Sequence, residues 1–155
     1  MIRNGEIYFY LKDEAHGWLS NFYPSKFKYS GTVMPTNEHF YQSQKAAMIE
    51  FENWIAQAPN PYHAMLAGRN LRAKKGERHG DWDSRKLEVM REGLFRKFAI
   101  PDLRAKLLAT RDMPIHEDSP TDMFWGVKGE DWLGKLLMQV RSEIYASLVI
   151  QAMEE

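Results

Sequence analysis

The sequence contains no cysteine. Disulfide bonds, thiol nucleophiles and cysteine-based zinc sites are therefore excluded. Net charge is also lacking, because 21 Lys and Arg residues balance 21 Asp and Glu residues. No global positive field attracts nucleic acid, so any anion site must come from local clustering.

Long apolar runs are missing as well. No stretch approaches the roughly 18 apolar residues of a membrane span. Residues 1–10 also lack the apolar segment of a signal peptide. We therefore expect a cytoplasmic protein that has no membrane partner.

Common cofactor patterns are absent too. The chain has neither GxGxxG nor GxxxxGK[ST], which argues against a Rossmann dinucleotide site and a P-loop. Its histidines, which include His39, His63, His79 and His116, have no ligand spacing. We expect a protein that needs no metal and no cofactor.

What is present suits one domain that spans residues 1–155 and buries a real core. Hydrophobic residues make up 44% of the chain, and five Trp contribute to an aromatic fraction of 13%. Large aromatic side chains fill cores, but they also stack on flat ligands. Composition alone does not separate these two uses.

Local patterns predict a mainly helical domain with a small N-terminal β element, of the α+β class. Residues 6–11 read as a strand, and residues 26–34 as a hairpin that turns at Ser30-Gly31. Thr36 is the expected N-cap of a long helix. One stripe of that helix holds Phe40, Ala47, Phe51 and Trp54.

The remaining patterns predict four more helices and one long loop. Helices are expected at about residues 62–73, from about residue 83, at residues 101–108 and at residues 132–152. The last of these turns six aliphatic residues inward: Leu133, Leu136, Leu137, Val140, Ile144 and Leu148. Residues 113–131 show no period and read as a long loop, which in compact domains is often functional.

Three polar side chains share one side of the first predicted helix. Helical spacing puts Glu38, Gln42 and Lys45 opposite the apolar stripe. The plain interpretation is a solvated helix face with favourable Glu-before-Lys spacing. The functional interpretation is an acid, an amide and an amine presented together, with Glu38 supported by the helix dipole.

Two further segments are candidates for a site. The long loop holds His116, Glu117, Asp118, Asp122 and Trp125 within ten residues. These residues fit either a base beside a stacking surface or ordinary turn and cap formation. A basic run spans the end of the second predicted helix and the residues after it, and it is either solvated surface or a phosphate clamp. Its members include Arg69, Arg72, Lys74, Lys75, Arg78 and His79.

Six segments in register resemble the YbiA-like (NADAR) family. Residues 18–24 (WLSNFYP) and 35–45 (PTNEHFYQSQK) are similar to its LSNFYP segment and its TxEHxxQxxK helix. The Gly68-Arg69 pair follows, and Trp82, Arg85, Met90 and Lys97-Phe98 then match a later helix. Residues 117–126 (EDSPTDMFWG) look like its ExSPxDxxWG loop, and residues 133–141 like its closing LGxxLMxxR.

The resemblance implies an N-glycosidase. One branch of the family cleaves ribosylamino pyrimidine phosphates of early riboflavin synthesis, and another removes ADP-ribose from guanine bases. The resemblance carries over Glu38, Lys45 and Asp122 as catalytic positions. Four further positions carry over for substrate binding: Asn21, Arg69, Trp82 and Trp125. The implied partner is a phosphorylated ribosyl compound or ADP-ribosylated nucleic acid.

Two departures from the family pattern concern the substrate more than the reaction. Residues 127–132 (VKGEDW) are shorter than the family's glycine-rich stretch and lack its Asn, and Asn37 replaces a Ser. Two other classes of function stay open. The chain could be a non-catalytic ADP-ribose or nucleotide-binding module, or a helical interaction protein with fold-level matches only. The sequence does not indicate an oligomeric state.

Overall fold

The structure is a computed structural model that describes residues 1–155. The chain divides into two compact units. A central unit comprises Asn21–Lys97, and a terminal unit comprises Met1–Ser20 with Phe98–Glu155. The fold is mainly helical with a few short strands, as predicted, whereas a single domain stays a prediction. None of the helices combines the length and apolar character needed to cross a bilayer.

The secondary structure consists of short strands and mostly short helices. The strands are β1 (Ile2–Arg3), β2 (Glu6–Phe9), β3 (Phe27–Tyr29), β4 (Thr32–Met34) and β5 (Ile115–Glu117). The α-helices are α1 (Asn37–Ser43), α2 (Ile49–Ala56), α3 (Pro61–Arg69), α4 (Trp82–Lys97), α5 (Pro101–Ala109) and α6 (Trp132–Glu154). Short 3₁₀ turns occur at Gly17–Leu19 and Ala73–Lys75.

In the terminal unit, a three-stranded sheet packs against α6. The strand order is β1-β2-β5, with β1 antiparallel and β5 parallel to β2. Ile7 of β2 lies beside Ile115 of β5, and both are fully buried. The prediction that residues 113–131 are loop throughout is wrong at the start of this segment. There, strand β5 pairs with β2 and completes the sheet.

The central unit begins with the predicted hairpin of β3 and β4. Ser30 and Gly31 both have positive φ, at 49° and 80°, as a two-residue turn of this kind requires. The rings of Phe27 and Tyr29 meet the buried ring of Phe40 edge-on, with centroids 5.7 and 4.9 Å away. The hairpin thereby covers one side of α1.

The prediction of one long helix after Thr36 is wrong. Helix α1 ends at Ser43, α2 begins at Ile49, and residues 44–48 leave the helical path. Their backbone pairs elsewhere, since His79 N–H donates to the Lys45 carbonyl and Ala47 N–H donates to the Glu77 carbonyl, both at 2.9 Å. Trp54, assigned to the inward stripe, is 62% exposed.

The later helices match their predictions more closely. Helix α3 ends at Arg69 rather than near residue 73, α4 begins one residue earlier than expected, and α5 begins at Pro101 as predicted. Of the six aliphatic residues predicted to point inward from α6, Leu133, Leu136, Leu137 and Val140 are buried, whereas Ile144 and Leu148 are half-buried.

The Lys97 side chain, at the end of α4, is fully buried. Its ammonium lies 5.9 Å from the centroid of the Tyr23 ring. Burial lowers the pKa of Lys97 to about 7. Between that value and the ordinary lysine value, the unfolded chain binds more protons than the folded one, so stability rises with pH in this window.

We therefore expect Lys97→Met to flatten the pH dependence of stability. From pH 7 to pH 9, the wild type should gain up to about 1.4 kcal/mol per pH unit relative to the variant. Urea unfolding of both proteins at pH 7, 8 and 9 measures this difference, and Met keeps the side chain's volume. Parallel stability curves would show that Lys97 is an ordinary ammonium in the folded protein.

Candidate active site

Helix α1 carries Glu38 in a buried position. Thr36 caps the helix by accepting the His39 N–H at 3.2 Å, which confirms the predicted N-cap. All seven helical residues are buried, and Glu38 is only 7% exposed. The interpretation of this face as solvated is therefore wrong. The helix dipole favours a carboxylate in this first helical turn.

Gln42 lies one turn along the same face and binds Glu38 directly. Its Nε2 donates to Glu38 Oε1 at 2.7 Å. Asn21 supports the start of the helix, because its carbonyl accepts the Glu38 N–H and its Oδ1 accepts from Asn37 Nδ2 at 2.9 Å. The structure thus gives Asn21 a bracing contact with α1, while its predicted role in substrate binding stays a prediction.

Lys45 follows α1 and remains close to Glu38. Its ammonium lies 5.4 Å from the centroid of the Tyr41 ring and 6.0 Å from that of Trp82. The two rings themselves meet at an interplanar angle of 62°. Cations are attracted to aromatic faces at about this distance. Tyr41 and Trp82 therefore form an aromatic support for the ammonium.

The pKa of Lys45 is lowered to about 8, first of all because the side chain is desolvated. Glu38 acts in the opposite direction, and the positive charges of Arg69, Arg78 and Lys86 lower the pKa further. An amine with a pKa this close to neutrality is able to exchange its proton during a reaction. The predicted acid and amine thus interact electrostatically within the central unit, while their catalytic roles stay predictions.

Separate segments bring the three additional cations toward Lys45. Arg69 ends α3, Arg78 pairs through its backbone with Ala46, and Lys86 lies one turn after Trp82 on α4. Not all of the basic run takes part. The Arg72 side chain forms an ion pair with Glu77 at 2.9 Å.

Trp82 is 4% exposed, so its ring is mostly enclosed by protein. This burial favours a role in supporting Lys45 and Tyr41 over stacking on a ligand, which needs an open ring face. The predicted role of Trp82 in substrate binding stays a prediction.

Asp122 and Trp125 lie in the terminal unit. Oδ1 of Asp122 accepts the backbone N–H groups of Phe124 and Trp125, at 3.0 and 2.8 Å. Ser119 Oγ accepts the N–H of Asp122 at 3.0 Å. This is the turn and cap chemistry that the sequence offered as the plain interpretation. Catalysis by Asp122 and binding by Trp125 stay predictions.

Glu117, at the end of β5, is the most perturbed carboxyl group of this loop. Burial raises its pKa to about 7; a hydrogen bond from the Ser119 N–H opposes this, and the carboxylates of Asp122, Asp131 and Asp118 add to it. Its Oε2 is buried without a hydrogen-bond partner. The loop therefore contains a group able to carry a proton near neutral pH.

Sequence reasoning missed Tyr41 and Lys86 as neighbours of Lys45. Tyr41 could have been identified from the sequence, because it lies four residues before Lys45 on the helix that the spacing predicts. Lys86 could not have been identified from the sequence, since only the packing of α4 against α1 brings it near Lys45. No group of three metal-binding side chains comes together in the structure. Hydrolysis without a metal remains an expectation.

Comparison with known proteins places this geometry in a family. A profile of the NADAR domain matches residues 8–145. The chain is 40% identical over 149 residues to the N-glycosidase Npun_R5314 of Nostoc punctiforme. The aligned region covers 89% of this chain and 92% of that protein. It is 35% identical over 143 residues to the N-glycosidase YbiA of Escherichia coli, covering 89% and 88%.

Two other matches widen the comparison. The riboflavin biosynthesis protein VVA0006 of Vibrio vulnificus is 39% identical over 143 residues, which are 89% of this chain but span only 38% of that longer protein. The NMR structure of the E. coli protein YbiA superposes with a TM-score of 0.82 at 32% identity, covering 100% of this chain and 91% of that one.

The chain therefore belongs to the NADAR domain family. Its full-length relatives fix its enzyme class: it is an N-glycosidase-type hydrolase, which acts on N-glycosyl bonds.

Proposed function

We propose that the protein hydrolyses the C–N bond between a pyrimidine base and ribose 5-phosphate, in a ribosylamino pyrimidine of early riboflavin synthesis. The observation that carries this proposal is the pairing of the buried carboxylate of Glu38 with the Lys45 amine of lowered pKa. The riboflavin biosynthesis name of the Vibrio vulnificus relative supports the choice of base.

Glu38 suits the charge that develops in such a reaction. When the C–N bond breaks, its electron pair leaves with the nitrogen, and C1 of the ribose takes on oxocarbenium character. A fixed carboxylate stabilises that positive charge, and a buried one does so more strongly than one in water. Water then adds to C1 and gives up a proton, which restores the group that protonated the leaving nitrogen.

Lys45 suits the proton transfer. The leaving nitrogen must gain a proton, and an ammonium with a pKa of about 8 can provide one near neutral pH. If the ribose ring opens, the neutral amine has a second route: it attacks C1, the base leaves as its free amine, and water then hydrolyses the resulting Schiff base to release ribose 5-phosphate and regenerate Lys45.

The cations around Lys45 suit a phosphate group. Arg69 and Arg78 have exposed side chains, and neither forms an ion pair with a carboxylate. Arginine side chains bind phosphate through paired charged hydrogen bonds. We assign the 5-phosphate of the substrate to Arg69 and Arg78, with Lys86 adding positive charge.

A substrate panel tests the proposal. The protein is incubated with ribosylamino pyrimidine 5-phosphates, with the same compounds lacking phosphate, and with ADP-ribosylated guanosine, each with and without a chelator. Release of ribose 5-phosphate from the first set, unaffected by the chelator, is the expected result. Release of ADP-ribose alone would assign the protein to the branch of the family that removes ADP-ribose from guanine. If no compound is turned over, a binding module would be favoured.

Arg78→Gln should weaken binding of the phosphorylated substrate about tenfold and leave kcat nearly unchanged, because one charged hydrogen bond to phosphate is lost. Lys74→Gln is the matched control, since Lys74 is exposed in the same basic run but is absent from the charges that act on Lys45. Steady-state kinetics on both variants give KM and kcat. Equal KM values for Arg78→Gln and Lys74→Gln would remove Arg78 from the phosphate site.

A further inference from the structure

The two polar atoms of the Gln42 side-chain amide differ in their hydrogen bonding. Its Nε2 donates to Glu38 Oε1 at 2.7 Å, whereas its Oε1 is buried and has no hydrogen-bond partner. Leaving a buried carbonyl oxygen without a donor costs free energy. We therefore attribute the orientation of the amide to the hydrogen bond from Nε2 to Glu38. The fold must then leave room for the unpartnered Oε1.

Gly68 of α3 accommodates that oxygen. A Cβ added at Gly68 would lie 2.0 Å from Gln42 Oε1, so any side chain at this position would displace the amide. The hydrogen that replaces Cβ points at the oxygen and offers it a weak C–H···O contact. Gly68 lies inside a helix, so it is not needed for an unusual backbone conformation. Glycine is required here because α3 and the Gln42 amide approach each other closely.

A second amide on α1 is held in the same way. Asn37 Oδ1 is also buried without a partner, and a Cβ added at Gly93 of α4 would lie 2.0 Å from it. Helix α1 is thus fixed by one glycine contact on α3 and another on α4. Only the contact at Gly68 leads to the Glu38 side chain, because the Asn37 amide donates to Asn21 and to Met90 instead.

We infer that Gln42 is a positioning residue for catalysis, which holds the Glu38 carboxylate in its ionised form and in one orientation, and that Gly68 keeps Gln42 in place. The inference rests on the proposed role of Glu38. A merely structural Gln42 would fill space in α1 and have no influence on the protonation of its neighbour.

Gln42→Met tests this, because Met has similar volume and no N–H donor. The carboxylate would lose a donor that stabilises its charged form, so it should take up a proton at a pH higher by about one to two units. The acid limb of kcat/KM with a ribosylamino pyrimidine 5-phosphate should move by that amount. The ¹³C titration of the Glu38 carboxyl, assigned by comparison with Glu38→Gln, should move with it.

Gln42→Asn is the second variant, since it keeps a buried amide but is one methylene too short to reach Glu38. Asn37→Ser and Gly93→Ala are matched controls on the other glycine contact, and both should leave the acid limb and the carboxyl titration in place. Gly68→Ala should shift them as Gln42→Met does.

The two readouts separate this inference from the proposed function. An unshifted Glu38 titration in folded Gln42→Met and Gln42→Asn would overturn the positioning role, whatever the enzyme turns over. A shifted titration in a protein that hydrolyses no compound of the panel would support the positioning role and contradict the proposed reaction.

Discussion

Replacing Glu38 with Gln is expected to lower turnover by roughly 10²–10³-fold, the usual effect of losing one preorganised electrostatic contact. The two side chains have almost the same shape, and the Gln42 Nε2 donor can still bind an amide oxygen at position 38. What disappears is the negative charge beside the developing oxocarbenium ion. The free energy of unfolding should fall by at most about 1 kcal/mol, through the lost dipole interaction.

Glu50→Gln is the matched control for this experiment. Glu50 also lies in a first helical turn, that of α2, but its side chain is exposed. It should show the small stability change without the kinetic one. Ribose 5-phosphate release and melting temperature are measured on the wild type and both variants. Wild-type turnover by Glu38→Gln, on a substrate that the wild type hydrolyses, would remove Glu38 from the mechanism.

Local signals in the sequence were sufficient for elements stabilised by their own residues. The Ser30-Gly31 turn, the Thr36 cap and the Pro101 helix start all depend on contacts within a few positions of the chain. The class of fold followed from these elements. Boundaries were wrong where the end of an element depends on a distant segment.

The break between α1 and α2 shows the cause most clearly. The apolar spacing through Phe51 continues a helical pattern, so nothing local ends the helix at Ser43. The helix ends because Lys45 and Ala47 exchange helical hydrogen bonds for bonds to residues 77–79. Strand β5 was missed for the same reason, since its partner β2 lies more than 100 residues earlier in the chain.

Spacing correctly put Glu38 and Gln42 on one side of a helix, and their hydrogen bond confirms it. It could not show that this side is buried, because a polar stripe reads as solvated until the packing helices are known. Burial is what changes the chemistry: it lowers the pKa of Lys45 and makes a carboxylate effective against a developing cation. The sequence thus located the groups, and tertiary packing gave them their properties.

Lys45→Met is expected to lower kcat by roughly 10²–10³-fold, within the range typical of losing a general acid or base. Lys45→Arg separates the positive charge of Lys45 from its ability to transfer a proton or form a Schiff base. Arginine keeps a positive charge above Tyr41 and Trp82 but neither releases its proton near neutral pH nor forms a Schiff base. We expect Lys45→Arg to retain substrate binding, with KM within about threefold of wild type, and to lose turnover as Lys45→Met does.

The pH profile of the wild type then identifies the active form of Lys45. We expect kcat/KM to fall as pH rises through about 8, the pKa of Lys45, because the ammonium is the form that donates a proton to the leaving nitrogen. The anionic phosphate near Arg69 and Arg78 favours that protonated form further. Lys45→Arg should lack the inflection. A rise in kcat/KM through pH 8, with borohydride trapping of a covalent adduct on Lys45, would instead establish the neutral amine as the nucleophile of a Schiff-base route.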